Sequence, residues 1–353
     1  MTGVQTCALP ISDDFVVSSE AISSTCWTTN APALTAFYTS STQANGSSGN
    51  YYLNIYDTTA TSSIQFAIAY GNANGSGSQV YNSNVNGLSP SSTIFGQWQD
   101  LVIGDENTNF AFGNITSSEF FALPIERQCY KDSLFLGSLT LNLSGTLGSI
   151  QLTDNSSLYS GPGGLTVQFN EAGRVFQLVS GSAGTINTSV NSNGYSLSSG
   201  SYGWLLPDIG TIILNPLALS GSLASGGIGF RWSGSFATGS ATYTPSTNAN
   251  YSLYKAISGS TLGFTLNSQE TITSDYVFVR PRSSEFNYSE NPSFISGSTG
   301  AVLFPQFINN PQTYITTIGL YNDTNQLLAV AKLSRPLSKN FTKEALVRVK
   351  LDF

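Results

Sequence analysis

From residue 345 to residue 353 the chain alternates with period two. Ala345, Val347, Val349, Leu351 and Phe353 fall on one side, and Leu346, Arg348, Lys350 and Asp352 on the other. Successive side chains of a strand point to opposite faces, so the run predicts a half-buried C-terminal strand. Burying Val347, Val349, Leu351 and Phe353 at about 1.5–3 kcal/mol each is worth roughly 6–12 kcal/mol. That matches a typical net stability of about 5–15 kcal/mol, so the strand is expected to be essential.

Short apolar runs recur upstream. YYLNIYD (51–57) and SIQFAIAYG (63–71) are aromatic and β-branched and flank a Thr-rich turn, which predicts a hairpin. SPSSTIFGQWQDLVIG carries the clearest helical spacing: Ile94, Trp98, Leu101 and Val102 share a face. Ser89 is placed to cap that helix, Pro90 suits its first position and Gly104 its end. From Phe110 onward FAFG, FFALPIE, SLFLGSLTLNLSG, SIQLTD, GLTVQFN and RVFQLVSG read as strands punctuated by Gly, Ser and Asn. Residues 187–201 form a Ser/Gly/Asn-rich loop or soft boundary. Beyond it GTIILN, GIGFRWSGSF, SGSTLGFTL and DYVFVRPR continue the strand pattern, with a short helix over about 248–257. YITTIGLY and QLLAVAKL, joined by NDTN, predict a second hairpin.

The expected class is therefore mainly β, with sandwich or barrel-like antiparallel domains and one or two short helices. Two domains are expected, 12–200 with a helix near 90–103, and 201–353 ending in the buried strand. No fixed-period repeat is visible, which disfavours propellers and solenoids.

Composition narrows the function classes. Charged residues make up only 9% while aromatics reach 12%, so the chain can bury a core beneath neutral, hydroxyl-rich faces. Net charge is −7, which with no long basic run argues against a phosphate-backbone partner. No run of 18 apolar residues predicts a membrane span. The charge is unevenly placed. Residues 311–353 hold six of the 13 Lys and Arg (Lys332, Arg335, Lys339, Lys343, Arg348 and Lys350) against Asp323, Glu344 and Asp352. That segment is therefore +3, and the remainder −10.

The opening MTGVQTCALPI resembles the translation of a common sequencing adapter, so residues 1–11 are excluded from fold reasoning. The true start is expected upstream of Ser12, with any signal or N-terminal domain lost. Cys7 goes with that stretch. Cys26 and Cys129 remain, and two buried thiols are expected rather than a bridge.

Candidate chemistry is sparse. The chain has no histidine, which removes Ser-His-Asp hydrolysis, Cys-His proteolysis and His-ligated zinc from it. Paired carboxylates are the remaining catalytic device, and Asp13 with Asp14 or Asp105 with Glu106 are adjacent. Neighbours on a strand face opposite ways, so turn or surface roles are expected. The stretch 105–109, DENTN, mimics half a calcium loop, but Phe110 and Thr116 stand where Gly and the bidentate Glu belong. A polar cap after the helix is expected there. Sequons at Asn114, Asn142 and Asn340 arise by chance in so Asn-, Ser- and Thr-rich a chain. Trp98, Trp204, Trp232, Tyr314 and Tyr321 could stack on sugars, although core packing is the commoner use of such aromatics.

Several segments carry a resemblance. FAIAYGNANGSGS, SPSSTIFGQWQDLVIGDENTNFAFGN, IERQCYKDSLFLGSLTLNL, YVFVRPRSSEFNYSENPSF and the run from NNPQTYITTIGLY to VRVKLDF resemble uncharacterised virion structural proteins of contractile-tailed bacteriophages. The resemblance covers most of the chain from about Ser63 to Phe353. It implies a non-enzymatic component of a baseplate, tail or neck, located in the virion after synthesis in the host cytoplasm. Expected partners are other virion proteins and further copies of the chain, with no cofactor, nucleic acid or membrane. Lys332, Arg335, Lys339, Lys343, Arg348 and Lys350 are then a possible assembly surface, or simply solubilise an outward strand face. The alternatives are a secreted or cell-surface β-rich adhesin or carbohydrate-binding module, and, more remotely, a glycoside hydrolase or lyase using carboxylates.

Overall fold

The structure is a computed structural model that describes residues 5–6, 15–39, 47–48, 51–57, 63–82, 87–160, 164–189, 194–195, 198–222, 226–230, 249–260, 262–289 and 291–352. The chain is mainly β, with large antiparallel sheets, as its period-two runs require. It divides into two compact units, one of residues 22–270 and one of residues 1–21 with 271–353. The stretch 187–201 lies inside the larger unit. Strands on either side of it pair directly, Gly173–Ser182 with Gly203–Leu206, so the chain does not separate there.

The larger unit is organised by one long sheet. Its strands run in the order Phe264–Thr265, Thr140–Ser144, Ser149–Asp154, Gly173–Ser182, Gly203–Leu206, Thr211–Leu214, Glu119–Pro124, Ile64–Asn72, Leu53–Tyr56 and Tyr38–Thr39. The central strands read as continuous apolar runs because both faces are covered. Phe121, Leu123, Ile212 and Leu214 enter one core, while Phe120, Ala122 and Ile213 enter the other. The first core is closed by Trp27, Leu219, Leu253 and Ile257, and the second by the helix Ser91–Ile103. The expected hairpin of 51–57 and 63–71 forms, with Leu53 opposite Ile68 and Ile55 opposite Phe66.

The helix itself departs from expectation in two details. It starts at Ser91, so Pro90 is the capping position and no side chain caps it; Ser89 Oγ instead lies 3.0 Å from Ser91 Oγ. The buried stripe is centred on Phe95, Trp98 and Val102, which leaves Leu101 at its margin and half exposed. Gly104 ends the helix as expected. Its φ is 73°, and its N–H donates to Asp100 O and Gln99 O. The expected helix near 248–257 is Ala249–Ser258. Two further single-turn helices, Pro216–Ser220 and Pro305–Asn309, begin on proline and are too short to show a period.

The smaller unit is a two-layer arrangement. One layer holds the second half of the strand Asn267–Val279, paired with the closing strand Val347–Asp352 from Ser274 opposite Asp352 to Val279 opposite Val347. The other is the expected hairpin, Thr313–Tyr321 with Leu327–Lys339, to which Gln5–Thr6 adds in parallel. Asn325 turns the hairpin at φ 58°, and Asn322 Oδ1 accepts the N–H groups of Thr324 and Gln326. Val277, Val279, Ile315, Ile318 and Val349 meet between the layers, with Ala331, Leu333, Leu337, Val347 and Leu351 at the margins. The alternation of the closing strand is therefore realised from Ala345 to Asp352; Phe353 lies outside the described residues.

Candidate functional site

The six basic side chains of the C-terminal segment do not share one surface. Lys332 leaves the outward face of the Leu327–Lys339 strand, whose inward residues Ala331 and Leu333 pack on the small core. Arg335 is exposed at a bulge beside Pro336, and Lys343 is exposed before the closing strand. Arg348 and Lys350 leave the outward face of the opposing layer, away from the side that carries Lys332. Both have local partners. The Arg348 guanidinium lies 5.2 Å from the centre of the Tyr276 ring. Lys350 Nζ is 2.9 Å from Asp352 Oδ1, which also accepts from Ser274 Oγ. The pair holds Lys350 above and Asp352 below its ordinary range, and so exposed a pair adds little stability.

Lys339 does not belong to the expected surface, because it is buried. It is 0% exposed. Its Nζ donates to Ser283 O at 3.0 Å, Asn287 Oδ1 at 3.0 Å and Asn340 O at 3.3 Å. Asn287 is 1% exposed, and its Nδ2 donates to Ser283 O at 2.6 Å. Thr313 Oγ1 donates to Phe286 O in the same loop, and Phe286 takes φ 53°. Burial pushes the Lys339 amine below its ordinary range, against Glu285 and Glu344, whose charges pull it up. No local pattern could reveal this cage, because its side-chain acceptor lies 52 residues away.

What the smaller unit does expose is apolar. Among the described residues it holds twelve of the twenty exposed large apolar side chains, in under a third of the chain. Leu328 and Val330 stand two apart on the outward face of the Leu327–Lys339 strand, and Tyr314 on that of its partner. This strand is last in its sheet, so its outer edge is unpaired among the described residues. Ile315 pairs with Leu337 and Thr317 with Lys332, so two steps on one strand span five on the other. The bulge carries Arg335 and Pro336 and blunts that half of the edge. The half from Leu327 to Ala331 is apolar and carries a smaller irregularity at Leu328, since Leu320 pairs with Ala329 and Tyr321 with Leu327.

No family model, curated protein or solved structure matches this chain.

The other sequence candidates resolve into structural roles. Asp105 is exposed and caps its turn, accepting from the N–H of Asn107 at 2.9 Å and from Thr108 Oγ1. The Thr108 hydroxyl and the other turn donors hold its carboxyl below the usual range. Among the described residues no group of three or more His, Cys, Asp or Glu comes together; Asp13 and Asp14 lie outside them. Trp98 and Trp204 are core residues, the first donating to Tyr52 OH at 3.1 Å, so the proposed sugar platform does not assemble from them. Trp232 lies outside the described residues, and Tyr314 is exposed on the smaller unit. Asn142 is buried and donates to Gly263 O, which closes that sequon to a glycan. Cys26 and Cys129 are free, buried thiols.

Sequence reading missed a pair that the fold brings together. Arg174 NH groups and its backbone N–H all donate to Asp208, the latter at 2.8 Å. Burial opposes ionisation of Asp208, but the hydrogen bonds and charge of Arg174 outweigh it and hold the carboxyl low. Neither residue stands out locally, since they are 34 positions apart.

Proposed function

We propose that the chain is a non-enzymatic structural component of a tailed-phage particle, of its baseplate, tail or neck, acting through protein–protein assembly with copies of itself and other virion proteins. The concentration of exposed apolar side chains on the smaller unit carries this reading. Monomeric surfaces scatter such residues singly, and clustering marks surfaces that become covered. The apolar half of the Leu327–Lys339 edge adds backbone donors and acceptors that a neighbouring strand can pair. The C-terminal resemblance to contractile-tail virion proteins points to the particle as the place where covering happens.

In this reading the basic residues are not the assembly surface. Lys339 is inside, and Lys332, Arg348 and Lys350 are divided between two faces. They keep an apolar unit soluble and ordered before assembly, while Leu327, Leu328 and Val330 supply the contact.

The test is protein identification in purified tailed particles made from the intact gene and its neighbours. Peptides of this chain in the particle, with tail, sheath or portal genes adjacent, support the reading. A secreted or cell-surface location with measurable glycan binding contradicts it and favours the adhesin alternative.

A further inference from the structure

We propose that Lys339 and Asn287 join their side chains in an intramolecular isopeptide bond. The amine and the carboxamide are already in contact, with Nζ 3.0 Å from Oδ1, the oxygen bonded to the carbonyl carbon Cγ. Both side chains are excluded from solvent, at 0% and 1% exposure. The carboxamide is oriented: its Nδ2 donates to Ser283 O, so its oxygen end is the one presented to the lysine. An ammonium cage is best served by a carboxylate, yet every acceptor that Lys339 meets among the described residues is neutral, and one is an amide that an amine can attack.

Desolvation favours the neutral, nucleophilic amine, as the lowered titration of Lys339 agrees. Holding the reactants together replaces a bimolecular encounter with a unimolecular step. The ammonium first gives one proton to a carboxylate. Glu285 and Glu344 both act on Lys339 electrostatically, Glu285 the more strongly. Nζ then attacks Cγ and forms the new C–N bond. A second Nζ proton passes to Nδ2, the Cγ–Nδ2 bond breaks, and ammonia leaves. Amine plus carboxamide give a secondary amide plus ammonia, with no oxidant or reductant. The bond would tie the end of the Leu327–Lys339 strand to the loop that follows the strand Asn267–Val279, across the 52 positions that separate the two residues. It would fix the unit that carries the apolar edge, and it holds whatever that edge binds.

Intact-mass spectrometry of the full chain, followed by peptide mapping, tests the bond. The expected result is a mass lower than the encoded one by a single ammonia, and a branched peptide joining the segments around Asn287 and Lys339. Asn287→Asp should give the same branched peptide with loss of one water instead, and Lys339→Arg should give neither. The full encoded mass in a chain that unfolds cooperatively would overturn the proposal. So would loss of ammonia without a branched peptide, the mark of a succinimide at an asparagine.

Discussion

Val349 of the closing strand lies opposite Val277, and both are buried in the core of the smaller unit. The contact is non-local, joining the final strand to one that begins near residue 267. It makes the C-terminus part of the fold.

Deleting residues 345–353 removes the closing strand that pairs along Ser274 to Val279, and with it one wall of the small core. The truncated chain is expected to lose soluble folding. Val349→Ala should cost about 1–2 kcal/mol, the removal of two buried carbon groups. Thermal unfolding checks both, and a truncation that melts cooperatively at the full-length midpoint contradicts the role given to the strand.

Asp208 titrates low because Arg174 outweighs its burial. A carboxylate with a depressed folded value contributes stability that is present above the ordinary Asp range, about pH 4, and is lost as pH falls through the depressed value. Asp208→Asn should therefore lower stability by about 1 kcal/mol at neutral pH, after allowance for solvent screening. The deficit should shrink below about pH 4. A deficit unchanged across that range would show that the pair's charge does not matter.

Burial pushes the Cys26 thiol up to about 12 and the Cys129 thiol up to about 11. Thiolates do the chemistry of cysteine, so both should be inert in the folded chain. With Cys7 replaced by Ser, a thiol reagent should label no cysteine under native conditions and two in denaturant. Rapid native labelling would mean that the first core opens readily.

Gly203 takes φ 148° within its strand, where an added Cβ would run into the backbone carbonyl of Ile213 on the neighbouring strand. Gly203→Ala should destabilise the larger unit by about 3 kcal/mol or more. Denaturant unfolding measures this, and a change under 1 kcal/mol, well below what about 3 kcal/mol of strain implies, would mean that the sheet yields there.

Much of this architecture was legible locally. Alternation found the closing strand, Asn and Asp found the Tyr321–Leu327 turn, and Gly104 marked a helix end. Long-range relationships were not. The strand Phe15–Thr25 was missed because it is exposed along most of its length and so lacks an inward pattern. The interior lysine was read as surface because its acceptors come from another part of the chain. The basic segment looked like one patch because sequence proximity hides the opposition of two layers.

Sedimentation velocity of the full chain over a range of concentrations, beside a Leu328→Ser, Val330→Ser double variant, tests assembly through the apolar edge most directly. The wild-type chain should associate as concentration rises, and the double variant should remain a folded monomer. A wild-type chain that stays monomeric throughout, or a variant that associates equally well, would contradict it.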